Sequence, residues 1–121
     1  MLKFDHLALP VADWQASRDW YVATLGMSVE FEIPDRLTAA VRDQFDFTIF
    51  LVQAQTAPGG GGIALWFQVD DVDATHAALS RRGVAFNHAP AKMFWGYGAE
   101  LSDPDGYRIR LWDETTMKAH A

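Results

Sequence analysis

Asp5-His6-Leu7-Ala8-Leu9-Pro10-Val11-Ala12-Asp13 and Ile63-Ala64-Leu65-Trp66-Phe67-Gln68-Val69-Asp70-Asp71 lie 58 residues apart, and the second repeats the pattern of the first. Leu7 falls on Leu65, Leu9 on Phe67, Val11 on Val69 and Asp13 on Asp71. Apolar residues at every second position are the mark of a strand with one buried face. The aspartate that follows has a short acceptor side chain suited to opening a helix.

Each strand is therefore expected to feed a helix. The first spans Trp14 to Leu25, with Ala16, Trp20 and Ala23 as its expected inner stripe and Gly26 as its left-handed cap. The second spans about Val72 to Arg82 and is closed by Gly83. Strands are expected at Met27–Ile33, Leu37–Val41 and Phe45–Val52, with a turn at Pro34-Asp35. After the second helix they are expected at Val84–Phe86, Trp95–Ser102 and Tyr107–Trp112, with a tight turn at Asp103-Pro104-Asp105-Gly106. Ile49 and Leu51 match Ile109 and Leu111 at an offset of 60. Residues 115–121 read as a frayed tail.

The chain thus reads as one domain, 1–121, of two βαβββ units, about 3–56 and 63–113. Pro58 and Gly59 to Gly62 form the joint at 58–62. If Leu7, Leu9, Val11 and their counterparts face the helices, the other face carries His6, Ala8, Thr48, Phe50, Val52, Ala64, Trp66, Gln68, Arg108, Arg110 and Trp112. Such a mixture of rings, cations and amides is neither a core nor an ordinary wet surface. The expected architecture is α+β: a cupped mixed sheet with helices on its convex side and a wet cavity in its concave face.

Composition narrows the function. The chain has 121 residues, is 50% hydrophobic and carries a formal net charge of -6. Phosphate neutralisation needs a basic surface, so no nucleic-acid partner is expected. No cysteine is present, which excludes disulfides, thiolate metal sites and cysteine nucleophiles. No apolar run reaches the roughly 20 residues of a membrane span, and no signal-peptide pattern opens the sequence, so a cytoplasmic location is expected. Asp70, Asp71 and Asp73 lack the glycine and later glutamate of a calcium loop and read as helix-opening acids.

Together these motifs resemble the vicinal oxygen chelate superfamily, which includes glyoxalase I, extradiol dioxygenases and bleomycin resistance proteins. The resemblance runs from about residue 4 to 113. It rests on the Phe4–Asp13 stretch, Trp20-Tyr21, Leu25-Gly26, Phe67-Gln68-Val69-Asp70-Asp71-Val72-Asp73, Trp95-Gly96-Tyr97 and Ser102-Asp103-Pro104-Asp105-Gly106-Tyr107. It implies a divalent metal held from the first and last strands of each unit, at positions occupied here by His6, Ala64, Phe50 and Arg110. Only His6 can ligate, because alanine and phenylalanine offer no donor and arginine stays protonated. Glu100 and His88 are the residues that would have to rebuild such a site with His6. No metal or other cofactor is expected.

Two functions follow as expectations. In one, the protein is a metal-free binder of an aromatic or amphiphilic small molecule, with His6, Phe50, Trp66, Gln68, Trp95, Tyr97, Arg110 and Trp112 as ligand-binding residues. The resemblance implies a homodimer, the second subunit completing the cleft. In the other, it is a lyase, isomerase or dioxygenase-like enzyme, with a rearranged metal site or no metal, in which His6 is the base and Arg110 holds an anion. Arg110 has a structural alternative, an internal ion pair with Glu100, Asp46 or Asp113. Loops around Arg36, Gln55 and Lys92 would shape the pocket.

Overall fold

A computed structural model describes residues 1–55 and 62–121, so the expected joint at 58–62 lies outside the described residues except for Gly62. The fold resolves into two units, Met1–Gly59 and Gly60–Ala121. The first contains β1 (His6–Val11), α1 (Trp14–Leu25), β2 (Ser28–Ile33), a short 3-10 turn (Pro34–Arg36), β3 (Thr38–Arg42) and β4 (Thr48–Gln53). The second contains β5 (Ala64–Gln68), α2 (Val72–Arg81), β6 (His88–Met93), β7 (Gly96–Ser102), β8 (Arg108–Trp112) and α3 (Glu114–Ala119). Each unit has one four-stranded mixed sheet, ordered β1-β4-β3-β2 and β5-β8-β7-β6.

The repeat holds down to register. The first and last strands of each unit pair in parallel, Leu7 with Ile49 and Leu9 with Leu51, then Leu65 with Ile109 and Phe67 with Leu111. These residues build the helix-covered face; Leu9, Ile49, Leu51, Ile109 and Leu111 are almost fully buried. Each such side chain contributes about 1.5–3 kcal/mol.

Both expected caps of α1 form. Asp13 accepts from the N–H groups of Gln15 and Ala16, and Gly26 closes α1 at φ 72°. The inner stripe of α1 differs from expectation. Trp14, Ser17 and Tyr21 are buried, whereas Ala16 and Ala23 are exposed and Trp20 is half-buried. The Trp14 N–H donates to Gln53 Oε1 at 3.2 Å, which ties the first turn to the end of β4 and turns the Trp14 face inward.

The same aspartate turn precedes the last strand of each unit. Asp103 Oδ1 accepts from the N–H groups of Asp105 and Tyr107, both at 2.9 Å. Asp43 Oδ1 accepts from Phe45 and Phe47 at 2.8 and 2.9 Å. Gly106 takes φ 84° in one turn and Asp46 takes φ 67° in the other. The expected strand from Phe45 therefore begins only at Thr48, because residues 43–47 are used by the turn.

Two further expectations need correction. Residues 84–86 are not a strand; the strand is β6, whose His-Ala-Pro-Ala-Lys-Met sequence has little strand character. It lies at the sheet edge, where Pro90 costs no inner ladder bond, and its register shifts between His88 and Ala91. Residues 114–119 are the helix α3, not a frayed tail. The cause is Asp113. Its Oδ1 accepts from the Thr116 N–H and hydroxyl at 2.7 and 2.8 Å, and its Oδ2 accepts from the Val72 N–H at 2.7 Å. One buried carboxylate thus caps α3 and also accepts from the first N–H of α2, whose own N-cap is Asp71.

Burial pushes the Asp113 carboxyl up, but the N–H donors of Val72, Thr116 and Thr115 and the Thr116 hydroxyl outweigh it and hold the group below the ordinary carboxylate range. The folded state therefore binds this proton less readily than the unfolded chain. The stabilisation is complete above the unfolded value, about pH 4, and is lost as pH falls through the lower folded value. Asp113→Ala should lower stability by about 2 kcal/mol or more, since the α3 cap and the buried hydrogen bond to the Val72 N–H are lost at about 1 kcal/mol each. Urea melts at neutral pH and at about pH 3 should show the difference between variant and native protein shrinking in acid.

Candidate functional site

Strand alternation leaves one face of each sheet without a helix, and the expected candidates divide between the two units. In the first, Ala8, Phe50, Ala40 and Phe31 lie in one row across β1, β4, β3 and β2. The His6 ring stacks on Phe50 with centroids 4.0 Å apart and planes 20° apart, and Phe31 meets Phe50 edge-on at 5.4 Å. His6 Nδ1 lies 3.0 Å from Asp5 Oδ2. In the neutral ring this carboxylate favours the tautomer with the proton on Nδ1.

In the second unit, Trp66, Arg110, Glu100 and His88 form one row across β5, β8, β7 and β6. Arg110 Nε donates to Glu100 Oε1 at 3.0 Å, and both side chains are largely covered, at 12% and 14% exposure. The structural alternative for Arg110 is therefore present, with Glu100 as the partner. Three rings surround the guanidinium: Trp66 and Trp95 with centroids 5.3 Å from Cζ, and Phe94 at 5.6 Å. Trp66 and Trp95 also meet edge-on at 4.7 Å. Trp66 is 44% exposed and Phe94 91% exposed, so this group of rings opens to solvent.

Burial pushes Glu100 up, but hydrogen bonds from Arg110 and Asn87, with the charges of Arg110 and His88, bring it below its ordinary range. It is a carboxylate at neutral pH. Asn87 Nδ2 donates to Glu100 Oε2 at 3.1 Å and to Ser102 Oγ at 3.0 Å. His88 Nδ1 lies 2.8 Å from the Ala89 carbonyl oxygen.

Gly98 explains how Trp95 reaches this place. A side chain at 98 would run into the Leu111 carbonyl oxygen and lie 2.7 Å from the Trp95 ring. The bare backbone of β7 is the floor on which the indole rests. Gln68 and Trp112 are register partners on the strands that carry Trp66 and Arg110, and they share this face.

Tyr97 does not belong to the group. It alternates with Gly98 and Glu100 and so points to the helix side of β7. There its ring stacks on His120 at 3.9 Å and its hydroxyl lies 3.4 Å from Asp73 Oδ1. The structure therefore places it apart from the ring-lined face, on the side of β7 opposite Glu100. Phe94, absent from the expected set, is the ring that sequence reading missed; its signal was adjacency to Trp95 in a glycine-flanked turn.

The superfamily's metal positions do not fit a cation here. Ala64 and Phe50 have no donor atom, and Arg110 is a cation already bound to a carboxylate. Among the described residues, no three His, Asp or Glu side chains converge as a ligand set. Among the same residues, no helix is long and apolar enough to cross a membrane.

Gly98→Ala should be strongly unfavourable, because the obstacle is in part main chain and cannot swing aside. A loss of about 2 kcal/mol or more, with a shift in tryptophan emission as Trp95 leaves its seat, is the expected result of urea melts followed by fluorescence.

Comparison with the curated proteins gives no match. Solved structures do match. An antibiotic binding protein, TnmS3 from Streptomyces sp. CB03234, is 33% identical with a TM-score of 0.78, covering 93% of this chain and 96% of its own. A protein from Agrobacterium tumefaciens is 31% identical with a TM-score of 0.72, covering 93% and 98%. The bleomycin-binding protein of Streptomyces verticillus, solved with copper(II)-bleomycin, is 22% identical with a TM-score of 0.74, covering 94% and 99%, and shares the fold. Residues 3–111 match the Glyoxalase/Bleomycin resistance protein/Dioxygenase superfamily, and with the duplicated βαβββ architecture this shows that the chain belongs to that family.

Proposed function

We propose that this chain is a metal-free small-molecule binding protein that holds an aromatic or amphiphilic ligand against the helix-free face of its sheets. The observation that carries the reading is the open group of Trp66, Trp95 and Phe94 around Arg110. Flat rings with one exposed side lose water readily and stack on a planar guest with little loss of side-chain freedom. The likeness to an antibiotic binding protein at 33% identity supports the same class. The donor-poor metal positions support binding without a metal.

A homodimer belongs to this proposal. Phe31, Ile33 and Leu37, at or beside the edge strand β2, are each more than a third exposed, which favours covering by a second copy. A cytoplasmic location is also part of this proposal.

The alternative is an enzyme using His6 as general base. The Asp5–His6 pair favours it, because a carboxylate at Nδ1 presents Nε2 as the basic nitrogen. His6→Asn would then lower turnover far more than ligand affinity.

Titration of tryptophan fluorescence with a panel of planar aromatics and aromatic antibiotics should show saturable quenching. Trp66→Ala should weaken it about tenfold or more. His76→Ala should leave it unchanged, because His76 lies on α2 against Phe86. Chelator treatment should leave affinity unaltered. A stoichiometric divalent ion in purified protein, or equal losses in the two variants, would overturn the reading.

A further inference from the structure

We infer that Glu100 sets the charge selectivity of the ring-lined face: by committing Arg110 to an internal pair, it makes the face take planar, uncharged aromatic molecules and turn away aromatic carboxylates. The inference rests on the binding reading above and names the ligand class for the same site.

An arginine among open rings would ordinarily be read as an anion clamp, because the guanidinium fork suits carboxylate and phosphate. Here the anion is supplied by the chain. Arg110 Nε is bonded to Glu100 Oε1 at 3.0 Å, and the second oxygen of Glu100 is held by Asn87 Nδ2 at 3.1 Å. Asn87 is fixed in turn by Ser102 Oγ at 3.0 Å and by its own N–H, which donates to the Glu100 carbonyl at 2.7 Å. Glu100 is thus anchored from both sides and does not swing aside at little cost.

An incoming carboxylate meets a cation already neutralised and a second carboxylate next to it. Even at the Nη groups it would set a second anion beside the largely covered Glu100 carboxylate, at a guanidinium whose charge is already neutralised, which is unfavourable. A cationic guest meets the guanidinium itself. An uncharged planar molecule meets neither penalty. It stacks on Trp66, Trp95 and Phe94, and an oxygen at its edge accepts from the Arg110 Nη groups, since the bond to Glu100 runs through Nε.

The test compares fluorenone, planar and uncharged with a ketone oxygen, with a fluorenone carboxylate. Both are titrated calorimetrically against the native protein and Glu100→Gln, whose amide keeps an acceptor for Arg110 without the charge. The native protein should bind fluorenone about tenfold or more tightly than the carboxylate. Glu100→Gln should raise carboxylate affinity about tenfold and leave fluorenone affinity within about threefold. Equal native affinity for the two probes overturns the inference and leaves the binding reading intact, and this measurement stands without the variant. An unchanged ratio in a Glu100→Gln protein with native-like circular dichroism also overturns it. Absence of binding by either probe, and by every member of the aromatic panel, removes the binding reading and the inference together.

Discussion

Parallel pairing of the first and last strand in each unit is the constraint on which the rest depends. Once Leu7 lies beside Ile49, and Leu65 beside Ile109, every second residue on those strands goes to the helices and every other one to the open face. A slip of one residue in β8 would bury Arg110 under α2 and expose Ile109 and Leu111. The aspartate turns at Asp43 and Asp103 stand just ahead of β4 and β8 and fix where those strands begin. Position of the turn, register of the strand and composition of the open face are therefore one decision made twice.

Much of this was legible because strand alternation and helix caps are local. Asp13, Gly26 and Asp71 announce their helices through side-chain length and backbone freedom alone. The offsets of 58 and 60 were equally plain, since a duplicated unit repeats its apolar pattern. What escaped was non-local. β6 has no strand signature and exists because β7 offers a free edge. The α1 stripe was misplaced because a side chain from β4, Gln53, decides which face of the first turn is drawn in. α3 was read as frayed because its cap looked like any tail aspartate; nothing in sequence says that Asp113 also reaches Val72, 41 residues away.

The candidate site was legible in part, and for the same reason. His6, Phe50, Trp66, Gln68, Arg110 and Trp112 follow from alternation on strands whose register is set by the repeat. Trp95 and Phe94 sit just ahead of β7, where alternation gives no guidance, and their placement depends on Gly98 providing a floor. Tyr97 parts from Trp95 although the two are close in sequence. In a strand, neighbours point to opposite faces, and the residue that shares a face with Glu100 is Gly98.

That opposition gives the two sides of β7 separate tasks. On the helix side, the Met117 sulfur packs onto Gly96 and accepts from the Tyr97 N–H at 3.4 Å, while His120 covers the Tyr97 ring. These contacts hold α3 against the start of the strand, immediately after Phe94 and Trp95. On the open side, Gly98 leaves bare backbone for the Trp95 ring. The chain therefore spends its last helix on bracing the turn that bears two of the three rings around Arg110. Asp113 links this brace to the opening of α2, so one carboxylate connects the helix layer of the unit to the geometry of its ring-lined face. Rings carried on a turn need such support to keep their mutual geometry, because a ring that wanders by an ångström no longer stacks.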